Sequence, residues 1–377
     1  MAEHEANQPH SLLIVAGEVS GDMHAANLLR ELRRLVPDVH AFGIGGEGLA
    51  AAGLECLHRS SELALMGLVE VLRELPRVRR ILRRLVSECR GRQPRLAVLV
   101  DSPDFNLRLA AQLQALGIPV VLYVSPQLWA WRKGRVKTVR RVAREVLCLL
   151  PFEVPFYAEH RVPARYVGHP LVDDLDQAGL TGHRLAVKPR RLALLPGSRS
   201  MEVRQLLPTM VQTLRQLAPE VIEEAVLVEA PGVGLAIDVV LHEVGTDPRL
   251  SRVSGPQRRP ALAASALAWT ASGTATLECA LLDVPMVVGY RLQALSYTLA
   301  RLLVRVPHVG LVNLIADQRA APELIQSAWR ADRLAATTRQ LLGGEAAAQR
   351  TALARVRERL GEPGASRRAA EAVAEYL

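Results

Sequence analysis

The sequence predicts two α/β domains in tandem, each built on a doubly wound parallel sheet. Short apolar runs alternate with longer amphipathic segments almost throughout, and this β-α-β rhythm stops at residues 172–191 before it restarts. The chain of 377 residues is also longer than one ordinary hydrophobic core requires. Ligands of such sheets bind at the carboxyl ends of the strands, so we expect the functional residues in the loops there, on a cleft between the domains.

The apolar runs give the order of the elements. In the first half they predict strands at 12–16, 39–44, 96–100, 120–124, 146–149 and 164–167, with helices at 27–35, 62–86 and 107–116. The polar stretch 172–191 is interpreted as a linker between domains at 1–172 and 173–354. Further strands are predicted at 192–195, 224–229, 266–270 and 285–288. Residues 344–377 predict helices, and the last of them, 355–377, either packs on the first domain or exchanges with a second copy in a homodimer.

Composition narrows the class of protein. The net charge of +9 suits a nucleic acid, an anionic membrane surface or a phosphorylated substrate, but aromatic residues are only 4% and show no basic stacking platform, which disfavours a nucleic-acid binder. The four cysteines are scattered without metal-site spacing, as is typical of a reduced cytosolic protein. The leader is unlike a signal peptide, and no apolar run reaches the roughly 18–20 residues that span a bilayer. We therefore expect a protein that is soluble or lies on a membrane without crossing it.

Two loops of the first domain carry carboxylates. The glycine-bounded turn GEVSGD contains Glu18 and Asp22, which would repel a phosphate but suit hydroxyl groups. In DSPDFN, Asp101 ends a strand and is our candidate general base, whereas Asp104 follows Ser-Pro and is most simply a helix N-cap. We predict that Glu18, Ser20 and Asp22 orient acceptor hydroxyls beside Asp101.

Two loops of the second domain suit a nucleotide. In LPGSR, the Arg199 guanidinium beside free helix N–H groups matches a pyrophosphate, although a turn with a surface arginine is the alternative. In ASGTATLE, a helix starts after Ser272 and Gly273 with nothing negative to block a phosphate. Glu278, one turn on, could hold ribose hydroxyls or could simply be a glutamate favoured by the helix dipole.

The segment 62–86 has a basic stripe beside an apolar face. The apolar residues are Leu65, Leu68, Leu72 and Leu75, and the basic ones are Arg73, Arg77, Arg80 and Arg84. Pro76 is expected to kink or divide the helix. Spacing alone favours a core helix with a solvated arginine face, whereas an acylated substrate would favour an interfacial helix. Trp129 and Trp131, beside basic residues, are consistent with the same membrane face.

Ten segments spread in order along the chain carry a family resemblance. They are VAGEVSGD, LALMGLVEVL, DSPDFN, YVSPQLWAWR, LPFE, GHPL, LPGSR, ASGTATLE, MVVGYR and NLI with PELIQ. Together they resemble the lipid-A-disaccharide synthases, inverting glycosyltransferases with two Rossmann-like domains facing across a cleft (the GT-B class). The resemblance implies transfer of a sugar from UDP-2,3-diacylglucosamine to 2,3-diacylglucosamine 1-phosphate, giving a β-1,6-linked disaccharide 1-phosphate and UDP. It also implies no metal ion or cofactor and a cytoplasmic location at the inner face of the inner membrane, on an anionic surface.

The resemblance also marks residues. It implies that Asp101 and Arg199 are critical and that Asn313, Glu323 and Gln326 lie around the UDP. Taken with the loops, the predicted acceptor-binding residues are Glu18, Ser20, Asp22, His24, Asp104 and Trp129. The predicted nucleotide-binding residues are Gly197, Ser198, Arg199, Glu202, Ser272, Gly273, Thr274, Thr276, Glu278, Asn313, Glu323 and Gln326. The chain departs from the family pattern at Val312, where a proline is usual, and at Asp317, where a glycine is usual.

Two other enzyme classes could use a fold of this kind. A UDP-sugar 2-epimerase on the same fold would bind the nucleotide similarly but would need no acylated acceptor. A nicotinamide dehydrogenase is disfavoured because no G-x-G-x-x-G follows the first strand.

Two histidines are left out of the catalytic assignment. His24 is expected in the first turn of a helix near the cleft, and His169 is expected to be structural or at the hinge.

Overall fold

The computed structural model of the chain describes residues 10–63, 68–130, 133–180, 186–292 and 306–377. The chain divides into two compact units: unit 1 is Met1–Asp173 with Glu362–Leu377, and unit 2 is Asp174–Gly361. Each unit contains one sheet in which all pairs of neighbouring strands are parallel. The predicted α/β class with two parallel sheets is therefore confirmed.

The strands are numbered along the chain. Unit 1 contains β1 (Ser11–Ala16), β2 (His40–Gly45), β3 (Glu55–Arg59), β4 (Leu96–Val100), β5 (Val120–Tyr123), β6 (Glu145–Cys148) and β7 (Ala164–Tyr166). Unit 2 contains β8 (Lys188–Leu195), β9 (Glu224–Val228), β10 (Leu250–Val253), β11 (Ser265–Ala271), β12 (Met286–Tyr290) and β13 (Glu323–Ile325). The order across the first sheet is β3-β2-β1-β4-β5-β6-β7, and across the second it is β10-β9-β8-β11-β12-β13.

The helices lie between the strands. Up to the unit boundary they are α1 (Val19–Leu35), α2 (Glu47–Ala51), α3 (Leu68–Arg92), α4 (Pro103–Ala115), α5 (Val136–Val142), α6 (Glu153–Glu159) and α7 (Pro170–Gln177). Those that follow are α8 (Ser200–Gln216), α9 (Gly234–Val244), α10 (Arg258–Ala263), α11 (Thr274–Leu281), α12 (Leu311–Ala316), α13 (Ala331–Gln340), α14 (Ala346–Leu360) and α15 (Ala365–Ala374). Within the described residues, no helix combines the length and apolar composition that crossing a bilayer requires.

Burial of both sheet faces explains the continuous apolar runs. In β1, Leu12 and Ile14 belong to the cluster that contains residues of α1 and α15, whereas Leu13 and Val15 belong to the cluster that contains residues of α3 and α4. All four side chains are fully buried. Because successive side chains point to opposite faces, a strand covered on both sides needs an unbroken apolar sequence.

Three strands that we did not predict lie at sheet edges. They are β3, β10 and β13, with the sequences ECLHR, LSRV and ELI. Each terminates its sheet, and most of its residues are half-buried or exposed. An edge strand can therefore form from a polar sequence that lacks the apolar run of a central strand.

Some predicted boundaries were wrong. Helix α1 begins at Val19 rather than at Asn27, so most of the GEVSGD turn is its first turn. The predicted linker 172–191 overlaps helix α7 at one end and strand β8 at the other. Residues 355–360 complete α14 in unit 2, so only the part from Glu362 onward belongs to unit 1.

Helix α3 runs through Pro76 without division. Ile81, Leu85 and Cys89 are buried in the unit 1 core, four residues apart on one helix face. Arg80 and Arg84 are exposed. This part of α3 therefore packs one face into the core and exposes arginines outside that face. The predicted residues Leu65, Leu68, Leu72, Arg73 and Trp131 lie outside the residues or side chains that the structure describes.

Asp173 attaches α15 to unit 1. Its carboxylate accepts hydrogen bonds from the backbone N–H groups of Gly364 (2.6 Å), Ala365 (3.1 Å) and Ser366 (3.1 Å). These are donors that a helix start leaves without intrahelical partners. Asp173 therefore caps a helix that lies far away in the sequence.

We expect Asp173→Ala to lower the free energy of unfolding by about 1–2 kcal/mol, the usual cost of losing a good helix cap. Urea unfolding followed by circular dichroism measures this change. The exposed Asp38, whose distance to His10 is 3.8 Å, provides the control Asp38→Ala, expected to change stability by less than about 0.5 kcal/mol. Equal stability of the two variants would contradict the capping role.

Candidate active site

The carboxyl edge of the unit 1 sheet carries strained backbone. Asp101 and Ser102, directly after β4, have φ angles of 51° and 39°, and Val124, directly after β5, has φ of 63°. Left-handed backbone costs a non-glycine residue on the order of 1–3 kcal/mol, and it is most unusual for a β-branched one. Since β4 and β5 are neighbours, these residues follow adjacent strand ends. Strain of this kind clusters at functional sites.

Asp101 is held in a niche made by glycines. Its Oδ1 accepts a hydrogen bond from the Gly17 backbone N–H at 3.2 Å. Its Oδ2 is buried and has no hydrogen-bond partner among the described residues. A Cβ on Gly21 would lie 1.6 Å from Oδ2, and one on Gly17 would lie 2.1 Å from the Ser102 hydroxyl oxygen. The two glycines of the GEVSGD turn thus make room for Asp101 and Ser102.

The niche raises the pKa of Asp101 to about 7, chiefly because burial disfavours the charged carboxylate. The negative charge of Glu18 raises this pKa further, whereas hydrogen bonds from the Ser102 hydroxyl and from the N–H groups of Gly17 and Glu18 lower it. A carboxylate with a pKa near neutrality is suited to accept a proton at physiological pH. Glu18 and Ser20 are exposed at the start of α1, in the same turn as the niche.

Asp22 caps a helix. Its buried carboxylate accepts hydrogen bonds from the N–H groups of Gly46 (2.6 Å), Gly48 (2.9 Å) and Leu49 (3.2 Å) at the start of α2. Both oxygens therefore accept backbone hydrogen bonds, and the predicted contact with acceptor hydroxyls stays a prediction that would have to compete with them.

Asp104 is not the N-cap that its position predicted. The N-cap of α4 is Ser102, and Asp104 lies in the first helical turn. Its Oδ1 pairs with the Arg135 guanidinium at 2.5 Å. A carboxylate in this position is favoured by the helix dipole, and a substrate contact would have to compete with Arg135.

Trp129 contacts a residue that the sequence analysis did not assign. The indole N–H donates to Oε1 of Glu153 at 3.1 Å, and the ring packs edge-on against Phe152. Glu153 is buried and also accepts the Leu150 N–H at 3.2 Å, and burial raises its pKa to about 7. The Trp129 donor is thus used within unit 1, which leaves its half-buried ring surface for a substrate. The LPFE motif was the available sequence signal.

The two histidines differ in their surroundings. His169 is buried, and its Nδ1 accepts the Leu171 N–H at 3.1 Å, so the ring proton lies on Nε2. Burial, together with the charge of His24, lowers the pKa of His169 to about 3, so this ring is neutral. His24 is half-buried in the second turn of α1, not the first. The structural role expected of His169 agrees with these contacts.

In unit 2, Glu202 accepts hydrogen bonds from backbone N–H groups that we had predicted to bind phosphate. Its Oε2 accepts the N–H groups of Ser198 (3.0 Å) and Arg199 (3.3 Å), and its Oε1 lies 3.3 Å from the Arg199 guanidinium. Gly197, with φ of 122°, leaves space that Glu202 fills, since a Cβ there would lie 2.4 Å from Oε2. Glu202 therefore caps α8, and its assignment to the nucleotide stays a prediction. The turn does bind an anion, which here is a carboxylate of its own helix.

The exposed Arg199 and the start of α8 remain available to a phosphate. The side chain of Arg199 is 78% exposed. The N–H groups of Ser200 and Met201 lie in the first turn, where helix geometry provides no intrahelical acceptor. These donors and the guanidinium are the groups of this loop that the prediction of phosphate binding depends on.

The turn between β11 and α11 is open on one side. Gly273 has φ of 133°, and no atom among the described residues lies within 4 Å of a Cβ placed there. The Ser272 hydroxyl instead donates to the Val309 carbonyl at 2.8 Å, and the buried Thr276 hydroxyl donates to the Gly273 carbonyl at 2.8 Å. Gly273 and Thr274 therefore present backbone, while Ser272 and Thr276 shape the turn.

Glu278 is paired inside unit 2. Its Oε1 accepts from Arg259 Nε at 3.1 Å, and Arg259 Nη2 donates to Asp174 at 2.9 Å. Glu278 is buried. The sequence analysis did not identify Arg259. A ribose hydroxyl would have to bind those lone pairs of the Glu278 carboxylate that Arg259 does not use.

Asn313, Glu323 and Gln326 hold loops of unit 2. The fully buried Asn313 amide donates to the Ala321 carbonyl (2.9 Å) and to Glu323 (2.8 Å), and its oxygen accepts the Ala321 N–H (2.7 Å). Glu323 also accepts the Gly310 N–H at 2.8 Å, and Gln326 Oε1 accepts a backbone N–H at 3.1 Å. These contacts use both amide hydrogens of Asn313, and its contact with the nucleotide stays a prediction.

The two departures from the family pattern have local explanations. The Val312 N–H donates to the Thr276 hydroxyl at 3.3 Å, a bond that a proline could not make. Asp317 ends α12 with φ of 54°, a conformation that favours glycine but that aspartate tolerates.

Sequence comparisons identify related proteins. A model of the family described as lipid-A-disaccharide synthetase matches residues 12–376. The lipid-A-disaccharide synthase of Myxococcus xanthus (strain DK1622) is 44% identical over 385 residues, covering 98% of this chain and 98% of that protein.

Solved structures share the fold at low identity. UDP-GlcNAc 2-epimerase from Neisseria meningitidis has a TM-score of 0.64 at 12% identity, covering 97% of this chain and 100% of that chain. MurG of Acinetobacter baumannii has a TM-score of 0.60 at 14% identity, covering 98% and 100%. These likenesses show the fold alone, which is the predicted GT-B class. The epimerase alternative thus has only the fold in its favour.

The raised pKa of Asp101 predicts a pH-dependent stability. The unfolded chain loses this proton near the ordinary pKa of 3.8, whereas the folded protein keeps it up to about pH 7. The folded state therefore binds more protons between about pH 4 and 7, and the free energy of unfolding falls as the pH rises through this window. We expect Asp101→Asn to be more stable than the parent at pH 8 by on the order of 2 kcal/mol, an advantage that disappears near pH 4. Chemical unfolding at both pH values tests this, with Asp38→Asn as the control.

Proposed function

The chain belongs to the lipid-A-disaccharide synthase family, and from this premise we propose the reaction and the residues that perform it. A 2,3-diacylglucosamine unit moves from its UDP donor to the 6-hydroxyl of 2,3-diacylglucosamine 1-phosphate. The products are the β-1,6-linked disaccharide 1-phosphate and UDP. Inversion implies one in-line displacement at the anomeric carbon.

Asp101 is the proposed general base. The acceptor 6-oxygen forms the new bond to the anomeric carbon as the bond from that carbon to the UDP oxygen breaks, and the hydroxyl proton moves to Asp101. The buried Oδ2, which has no partner among the described residues, supports this role most strongly. A pKa of about 7 leaves much of the carboxylate ionised at neutral pH, while keeping it basic enough to take a proton. Glu18 and Ser20 are proposed to bind acceptor hydroxyls beside it, with Trp129 offering its ring surface.

Arg199 is the proposed partner of the leaving diphosphate. The negative charge that develops on UDP is stabilised by the guanidinium, by the first-turn N–H groups of α8 and by the open Gly273–Thr274 backbone at the start of α11. Its exposure and its position at a helix start support this role. Glu278 remains the proposed ribose contact, with Arg259 orienting its carboxylate.

We expect Asp101→Ala and Arg199→Ala each to lower turnover by about 10²- to 10³-fold, the usual effect of removing such a group. The assay follows disaccharide formation by mass spectrometry and UDP release with and without acceptor. UDP release that requires the acceptor distinguishes transfer from epimerisation. The exposed Arg204, one turn further along α8, gives the control Arg204→Ala, expected to retain activity. Activity of either site variant within a few-fold of the parent would remove its assigned role.

We also propose that the arginine face of α3 binds an anionic membrane surface at the inner face of the inner membrane. A cavity of about 460 Å³ is lined by His58, Glu62, Pro76, Arg77, Arg80, Ile81 and Arg84. Glu62 lies 3.4 Å from His58 and 3.6 Å from Arg77 and offsets part of the positive charge. The excess of arginines suits lipid phosphate groups, and the acylated substrates require access to a membrane.

Replacing Arg77, Arg80 and Arg84 together by Gln should weaken binding to anionic vesicles roughly a hundredfold, at about 1 kcal/mol for each charge. Vesicle flotation at low salt with phosphatidylglycerol measures the bound fraction. The matched control replaces Arg330, Arg333 and Arg339, which are exposed arginines in and before α13, by Gln. Equal flotation of both triple variants, or no binding by the parent, would contradict this proposal.

A further inference from the structure

The strained backbone of the turn at Asp101 requires stabilising contacts. Two consecutive residues, Asp101 and Ser102, have left-handed backbone, with φ of 51° and 39°. Such residues persist only where the surrounding structure fixes them. The turn also leads from β4, whose last residue Val100 is still paired with β1 and β5, into α4, so Asp101 and Ser102 lie between sheet and helix.

The Asn106 side chain donates to two successive carbonyl groups of this turn, and its backbone N–H makes the ordinary i→i−4 helix bond of α4 to a third. Its side-chain Nδ2 donates to the carbonyl oxygens of Val100 at 3.0 Å and Asp101 at 2.8 Å. Its backbone N–H donates to the carbonyl of Ser102 at 3.0 Å. The residue is 1% exposed, so these bonds are made out of contact with water.

The turn is bound by the amide hydrogens of Asn106 and not by its amide oxygen. Its Oδ1 is buried with no hydrogen-bond partner among the described residues, so the acceptor half of the amide adds nothing to the turn. An aspartate would turn an oxygen toward two carbonyl oxygens, and a leucine would remove both of these side-chain hydrogen bonds. An amide of this length meets both requirements.

We infer that Asn106 is a positioning residue for the transfer reaction, and that it aims the Asp101 carboxylate by fixing the backbone of residues 100–102. This inference rests on the proposed role of Asp101 as the base. Asn106 acts through the turn, since its side chain donates to backbone carbonyl groups and not to the Asp101 carboxylate. A small displacement of a catalytic group costs up to about a hundredfold in rate, so losing the two side-chain hydrogen bonds of Asn106 is expected to lower turnover.

The variants Asn106→Asp and Asn106→Ser test this role. We expect kcat to fall about 10- to 100-fold with KM changed less than threefold, because the base is misdirected while the substrate contacts remain. The pH profile of kcat/KM supplies a readout that a purely structural residue would leave unchanged. In Asn106→Ser, which adds no charge, the acid limb should move to lower pH by at least half a unit, because water admitted to the opened turn relieves the burial that raises the pKa of Asp101; in Asn106→Asp the added negative charge opposes this shift. Asn106→Ser adds neither charge nor bulk and gives the same test if Asn106→Asp does not fold.

The control is Asn27→Asp on α1. Asn27 accepts a hydrogen bond from Arg30 through its Oδ1, and an aspartate keeps that acceptor, so parent kinetics are expected. Folded protein is quantified by calorimetric titration with UDP. Parent kcat in the folded Asn106 variants and an unmoved acid limb in Asn106→Ser would overturn the inference. Asp101→Asn, measured in parallel, reports on the base itself: if it stays active, the proposed function fails, whereas its loss combined with active Asn106 variants removes only the positioning role.

Discussion

Parallel strands place all of their carboxyl ends on one edge of a sheet, and this constraint decides where reactive groups can gather in each unit. In unit 1 it brings Gly17, Asp101 and Val124 to the ends of three consecutive neighbours, β1, β4 and β5. In unit 2 it brings Gly197 and Gly273 to the ends of the adjacent strands β8 and β11. The backbone leaves the sheet at these points, and Asp101, Val124, Gly197 and Gly273 have positive φ angles there.

Backbone N–H groups at helix starts bind acidic side chains that the sequence pattern could equally assign to ligands. Asp22, Asp173 and Glu202 each accept two or more such donors, although two of them were assigned to ligands from the sequence. Glycine-rich turns attract carboxylates and ligand anions for the same physical reason, so the residue pattern alone does not separate them. Asp101 differs because its Oδ2 has no hydrogen-bond partner among the described residues.

Sequence was most informative where burial is complete. The central strands β1, β4 and β11 were located to within one or two residues, because both faces of each are covered and the apolar run is unbroken. The edge strands β3, β10 and β13 escaped prediction, since one side of an edge strand meets solvent and polar residues are tolerated. For the candidate site, the geometry of a strand end was enough to single out Asp101. The partners of Asp22 and Asn313 lie 24 or more and 8 or more residues away, in loops whose proximity only the fold determines.

The return of the chain to unit 1 has a consequence for biosynthesis. Leu28 and Leu29 of α1 are buried in a cluster that includes Ala369 and Val373 of α15. All of unit 2 is synthesised between these two helices, an interval of tens of seconds at roughly 5–20 residues per second. Until Glu362–Leu377 has left the ribosome, the apolar surface of α1 that packs against α15 stays exposed in the nascent chain. A chaperone that binds hydrophobic segments could reach it during this interval.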